Sequence, residues 1–201
     1  MQTSILHIQE HNTGNVVEAV GASLRGGGVC IIPTDTLYGL AADPFRQDAL
    51  ETIFTLKGRP GVKPLAILVA SIEQGMTLAS FSDRALDLAE RHWPGALTLV
   101  LPRLDTAPEW LGHPERRTVG LRCPRHPVAL DLLEAAGPLA VTSANVTGQA
   151  AAVDDAEARA LFGDSVAVYL EGEAPAGQAS TIIDLTEPSP LVLREGPVAE
   201  S

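Results

Sequence analysis

Lysine is almost absent from this chain. Of 14 basic residues only Lys57 and Lys63 are lysines, and both fall within one short segment. Basic charge as a whole is scarce: 14 Lys and Arg face 25 Asp and Glu, a formal net charge of -11 that argues against a protein wrapping the backbone of RNA or DNA. Any polyanion it binds is expected to be small and held locally. Aromatic residues make up only 4% of the 201 residues, so the interleaved basic and aromatic side chains of a single-strand reader are missing as well. Cysteine is limited to Cys30 and Cys123, which fit no CxxC or Cys/His metal spacing. A reduced compartment, the cytoplasm, is the expectation, and a chain of this length needs neither a disulfide nor a metal to fold.

Long apolar runs are missing too. No segment reaches the ~18 consecutive apolar residues of a membrane span, and the N-terminal stretch MQTSILHIQEHNTG has no basic n-region, so neither insertion nor secretion is expected. His7, His11, His92, His113 and His126 show no ligand spacing, and no metal site is predicted. Neither GxxxxGK[ST], GxGxxG after the first strand, GxSxG nor HExxH occurs. Phosphoryl chemistry without a protein nucleophile is the reaction class left standing.

What the sequence does contain is alternation of strands and helices. Apolar runs rich in β-branched residues predict strands at Ile5 to Ile8, Val29 to Ile32, Leu65 to Val69, Ala96 to Leu101, Thr118 to Leu121, Leu139 to Val141, Val166 to Leu170, Thr181 to Leu185 and Leu191 to Leu193. Helices are predicted over Asn15 to Leu24, Gln47 to Leu56, Asp83 to His92 and Val128 to Ala136, each stopped by a Gly or Pro. The expected class is α/β with a mixed parallel and antiparallel sheet, because the strands after Ala96 lie too close together for helical crossovers throughout. No interdomain linker is evident. Residues 1–201 therefore read as one domain, with loops at Thr106 to Arg117 and Glu171 to Ala179 and a mobile tail from Glu195 to Ser201.

Three segments carry chemistry. Pro33 to Leu40 leaves a strand through Thr34, Asp35 and Thr36, where ligands collect beyond strand ends; the same residues also make a good turn. In KGRPGVKPL, Lys57, Arg59 and Lys63 crowd a loop stiffened by Pro60 and Pro64. Cations ~5 Å apart at an effective ε of about 20 repel by about 3 kcal/mol per pair, so an anion reverses the sign, although a solvated helix C-terminus would also use basic residues. In TSANVTG, small hydrogen-bonding residues around Ser143 and Asn145 can cradle a phosphate or ribose, or cap the acidic helix near Asp154. Arg122 and Arg194 end two strands, where a guanidinium can meet a carboxylate or phosphate or form a surface ion pair, and Ser180 and Thr181 open another strand with two hydroxyls.

Taken in order, PTDTLYGLAADPF, KGRPGVKPL, WPGALTLVLP, TVGLRCP, TSANVTG, STIIDL and LREG resemble the YrdC/YciO-like family over nearly the whole chain, and specifically its threonylcarbamoyl-AMP synthases. The resemblance implies a twisted mixed sheet flanked by helices around a basic concave site. It implies a nucleotidyltransferase reaction in which L-threonine, bicarbonate or CO2, and ATP with Mg2+ give threonylcarbamoyl-adenylate and pyrophosphate for tRNA modification. A separate tRNA threonylcarbamoyl transferase would be the partner, with tight direct tRNA binding not expected. Carried onto this sequence, Lys57 and Arg59 become the catalytic cations, with Thr118, Thr142, Ser143, Asn145, Thr147 and Arg194 completing the ATP site. Thr36, Lys63, Arg122 and Thr181 would hold threonine. Lys63 departs from the His or Asn more usual in the family, and the sequence stops after LREG, without the linker and extra domain of longer members. A YciO-type paralogue with another nucleotide-dependent reaction, and a non-catalytic RNA-binding module, are the alternatives.

Overall fold

A computed structural model describes residues 4–6, 13–58, 64–172, 174 and 177–199. Its elements in chain order are β1 (Ser4–Leu6), α1 (Thr13–Arg25), β2 (Cys30–Ile32), β3 (Gly39–Ala42), α2 (Gln47–Leu56), β4 (Ala66–Leu68), α3 (Ile72–Met76) and α4 (Asp83–His92). There follow β5 (Leu97–Pro102), β6 (Thr118–Arg122), α5 (Pro127–Ala136), β7 (Leu139–Ser143), α6 (Asp155–Phe162), β8 (Val168–Leu170), β9 (Thr181–Asp184) and β10 (Leu191–Arg194). All the described strands join one sheet in the order β1-β8-β2-β3-β7-β4-β6-β5-β9-β10. Pairs β1/β8, β2/β8, β4/β6 and β5/β9 are parallel and the other five antiparallel, so the sheet is mixed as expected.

Strand alternation sorts side chains into two layers. Ile31, Leu40, Ala140, Tyr169, Ile67, Leu99, Leu121 and Ile183 point to one face, where α2, α4 and α6 cover them with Ala49, Ile53, Leu88, Ala89 and Phe162. Their neighbours Cys30, Ile32, Ala41, Leu139, Val141 and Leu170 point to the other, under Val16, Val20 and Leu24 of α1 and Leu132 and Leu133 of α5. At about 1.5–3 kcal/mol for each large aliphatic side chain withdrawn from water, these layers are the main favourable term in folding. The second layer is incomplete. α1 and α5 leave the same sheet face uncovered over β4, β6, β5 and β9.

Helix ends follow local chemistry. Ser82 and Asp154 accept from the N–H groups of Ala85 and Glu157 at 3.3 and 2.8 Å, capping α4 and α6, while His126 Nδ1 accepts from Ala129 N–H to start α5. Two elements escaped the sequence reading. β3 consists of Gly-Leu-Ala-Ala, weak strand formers, and is held by ladders to β2 on one side and β7 on the other. It separates the Thr34–Thr36 turn from α2, where a direct turn-to-helix passage was expected. α3 is a short five-residue helix whose cap is Ser71. The C-terminal segment, expected as a mobile tail, docks on β9 as far as it is described: Thr181 Oγ1 donates to Val198 O at 2.7 Å and accepts from Val198 N–H at 3.0 Å.

Cys30 and Cys123 are both buried and unpaired, and burial pushes their thiols up to about 12 and about 11. Gly39 marks the tightest backbone contact in the centre of the sheet, because a Cβ there would lie 2.5 Å from Val141 Cγ1. Gly39→Ala is expected to lower unfolding free energy by about 1–3 kcal/mol in urea titrations. Adding Val141→Ala removes the obstructing methyl, so the double variant should lose clearly less than the sum of the two single losses.

Candidate active site

The uncovered face of the sheet forms a cavity of about 740 Å³. Its floor is the alternate set of strand residues: Thr98 and Val100 from β5, Gly120 and Arg122 from β6, Ala66 and Leu68 from β4, and Ile182 from β9. Lys57, Arg116, Arg122 and Arg194 line it, and no carboxylate side chain does so among the described residues. Of these four cations, Arg122 and Arg116 are paired with Asp35 and Asp184, whose side chains stand outside the lining.

Arg122 ends β6 with its side chain only 7% exposed and each of its three guanidinium nitrogens making one bond. Nε donates to Gly95 O at 3.0 Å, one terminal nitrogen to Thr36 Oγ1 at 2.7 Å, and the other to Asp35 Oδ1 at 2.5 Å. Burial lowers the pKa from the ordinary arginine value, with Asp35 opposing and the like charge of Arg194 adding to the lowering. The group stays cationic, so the cost is borne as a standing attraction for an anion. Thr34 stiffens the same turn: its hydroxyl donates to Leu37 O at 2.6 Å and accepts from the Thr36 and Leu37 amides. Gly95 has to be glycine for this corner, since a Cβ would stand 2.4 Å from His92 O.

Lys57, at the C-terminal end of α2, is 3% exposed. Its ammonium donates to Ser143 O at 2.7 Å, Asn145 O at 3.0 Å and Asn145 Oδ1 at 2.7 Å. Asn145 Oδ1 also accepts from Ser143 Oγ at 2.8 Å, while Nδ2 donates to Gln149 O. Thr147 N–H closes the loop on Lys57 O at 3.0 Å. The lysine thus organises the turn after β7 through neutral oxygens and brings a full positive charge to its cavity side. Compact, rotatable N–H donors suit three convergent oxygens in a way that a planar guanidinium does not.

On the far side, Arg194 Nε donates to Ser180 O at 2.8 Å and a terminal nitrogen to Ser180 Oγ at 3.0 Å. Burial lowers this arginine's pKa as well. The β9–β10 register slips between Val192 and Arg194. That bulge lets two successive residues, Leu193 and Arg194, both line the cavity.

Of the residues singled out in the sequence, Thr36, Lys57, Thr118, Arg122, Thr142, Ser143, Asn145, Thr147 and Arg194 are brought together around this one cavity. Thr181 is not: it is buried on the opposite parity of β9 and bonded to Val198, and Ser180 takes the cavity side. Arg59 and Lys63 lie outside the described residues. Sequence reasoning missed Asp35 as the partner of Arg122, having read it as a turn residue. It also missed Thr98, the one polar side chain inside Leu97 to Leu101, and Arg116, which is paired with Asp184 at 2.7 Å. For Thr98 a signal existed: a hydroxyl interrupting an apolar strand at an alternate position.

Comparison with known proteins bears on what this cavity is for. The Sua5_yciO_yrdC family model, described as "Telomere recombination", matches residues 22–196. The chain belongs to the Sua5/YciO/YrdC family. A Mycobacterium tuberculosis member, provisionally named threonylcarbamoyl-AMP synthase, is 42% identical over 94% of this chain and 88% of its own length. A Pyrococcus abyssi member named threonylcarbamoyl-AMP synthase is 37% identical over 96% of this chain, which spans 58% of that longer protein. A solved structure of P. abyssi Sua5 complexed with L-threonine superposes with a TM-score of 0.89 at 36% identity, covering 96% of this chain and 58% of that one. Escherichia coli YciO superposes with a TM-score of 0.87 at 28% identity, covering 98% and 97%.

In this family member the Lys57 contacts generate a direct expectation. Lys57→Ala should speed amide exchange at Ala144, Thr147 and Ala152 by about tenfold or more, as three buried acceptors lose their donor. Unchanged protection in that turn, measured by hydrogen exchange with mass spectrometry, would show that the ammonium does not hold it.

Proposed function

We propose that this protein is a threonylcarbamoyl-AMP synthase, joining L-threonine, bicarbonate and ATP into threonylcarbamoyl-adenylate with release of pyrophosphate. The observation that carries the reading is a cavity lined by four cations and no described carboxylate, in an otherwise acidic chain whose relatives bear that name. Arg122, held from behind by Asp35, Thr36 and Gly95, offers its remaining N–H groups to the threonine carboxylate. Lys57 and the Ser143–Asn145 turn face the nucleotide, with Thr118, Thr142 and Thr147 beside it, and Arg194 faces the phosphates. Arg59 and Lys63, two and six residues after Lys57 in the sequence, are assigned to the phosphates and to threonine respectively. Thr181 acts on the site indirectly, by fixing the backbone next to Ser180.

The chemistry asks little covalent work of the protein. Threonine's amine takes up the one-carbon unit as a carbamate, a carbamate oxygen attacks the α-phosphorus, and pyrophosphate leaves. The residues orient the two reactants and balance charge as it moves to the leaving oxygens. Mg2+ would accompany ATP, held by its phosphates, and no carboxylate side chain among the described residues lines the cavity. The product serves tRNA modification through a separate transferase. No helix among the described residues is long and apolar enough to cross a membrane, and we place the activity in the cytoplasm.

A YciO-type reaction is the second reading: E. coli YciO shares this fold with a TM-score of 0.87 over 98% of the chain, at 28% identity. Pyrophosphate release from ATP and bicarbonate, followed with and without L-threonine and with the product weighed by mass spectrometry, separates them. Threonine-dependent release and the adenylate mass are expected; nucleotide binding without threonine dependence favours the YciO reading. Arg122→Ala should raise the KM for threonine at least about tenfold while changing that for ATP far less.

A further inference from the structure

Between the two arginines lies a pair of buried hydroxyls to which the foregoing roles give no work. Thr98 precedes Leu99, which pairs with Leu121 next to Arg122 in the β5–β6 ladder, and it is opposite Ile182 in the β5–β9 ladder; Ile182 in turn pairs with Arg194 of β10. Thr98 and Ser180 are 3% and 4% exposed, both line the cavity, and their oxygens are 2.8 Å apart. Ser180 Oγ also accepts from Arg194.

Counting protons exposes the opening. Two hydroxyls carry two protons, and their mutual hydrogen bond uses one. Arg194 is a donor and takes none, so one hydroxyl proton remains, whichever of the two residues holds it. Arg122 has two N–H groups beyond its three bonds, and Arg194 has three beyond its two. The pair therefore presents a hydroxyl proton beside the spare N–H groups of two guanidiniums, a set of donors that an oxyanion matches.

Resting on the synthase reading, the geometry points to the Thr98–Ser180 pair as the seat of the one-carbon carboxylate. The product's connectivity selects that group. In threonyl–NH–C(=O)–O–phosphorus the one-carbon unit lies between the amino acid, placed at Arg122, and the phosphates, placed at Arg194. Thr98 is on β5, which lies between the strand of Arg122 and, beyond β9, the strand of Arg194. A planar oxyanion accepts from the hydroxyl and from a guanidinium on either side. The chemistry is shared by free bicarbonate and by the N-carboxylate of threonine.

Thr98→Val keeps the branched shape of a buried strand residue and deletes the donor, while Thr98→Ser keeps the donor. Kinetically, Thr98→Val should raise the KM for bicarbonate about tenfold, with the KM values for threonine and ATP changed by less than about twofold, and Thr98→Ser should stay near wild type. A second readout needs no turnover: the line width of 13C-labelled bicarbonate over the full-length protein. Broadening by wild type without threonine, lost in Thr98→Val, supports the subsite and identifies free bicarbonate as its occupant. Broadening that needs threonine and is lost in Thr98→Val supports it with the N-carboxylate as occupant. Equal line widths in wild type and Thr98→Val, or threonine KM rising in step with that of bicarbonate, overturns it. Should wild type broaden the line through Thr98 yet form no adenylate, the synthase reading falls and the anion seat stands.

Discussion

A buried guanidinium with its counter-ion behind it sets the architecture of this site. Withdrawing Arg122 from water is costly, and Asp35, Thr36 and Gly95 compensate through three directed bonds from two separate chain segments. The partners come from the turn after β2 and the corner before β5, so folding must bring strands from both halves of the sheet together before this charge is satisfied. The catalytic face and the fold are thus linked by one residue.

The second organising cation works differently. Lys57 sits at the end of a helix and gathers the oxygens of a turn 86 to 88 residues away. This accounts for a lysine rather than an arginine at position 57. Arginines suffice on the surface, whereas three convergent oxygens call for an ammonium.

Much of this was legible in sequence, for local reasons. Strands such as Leu97 to Leu101 and helices such as Asp83 to His92 declare themselves by apolar period and by the Gly or Pro that ends them. Arg122 and Arg194 were recognisable as strand-end cations. The pairing of Arg122 with Asp35 was not, because the two are 87 residues apart and Asp35 alone reads as a turn former. Between Ser180 and Thr181 the deciding fact is strand parity, which a one-residue change in register reverses and which the adjacent hydroxyls cannot reveal. β3 was hidden for the opposite reason: its Ala and Gly have little strand preference, and two neighbouring ladders impose the conformation.

The bulge at Leu193 has a mechanical meaning. Arg122 stands on a strand flanked on both sides by others, while Arg194 stands on β10, which is paired only with β9 and carries the exposed side chains of Leu191 and Leu193. The two cations therefore differ in support: one wall of the cavity is bonded into the sheet along both edges of its strand, and the other, among the described residues, along a single edge.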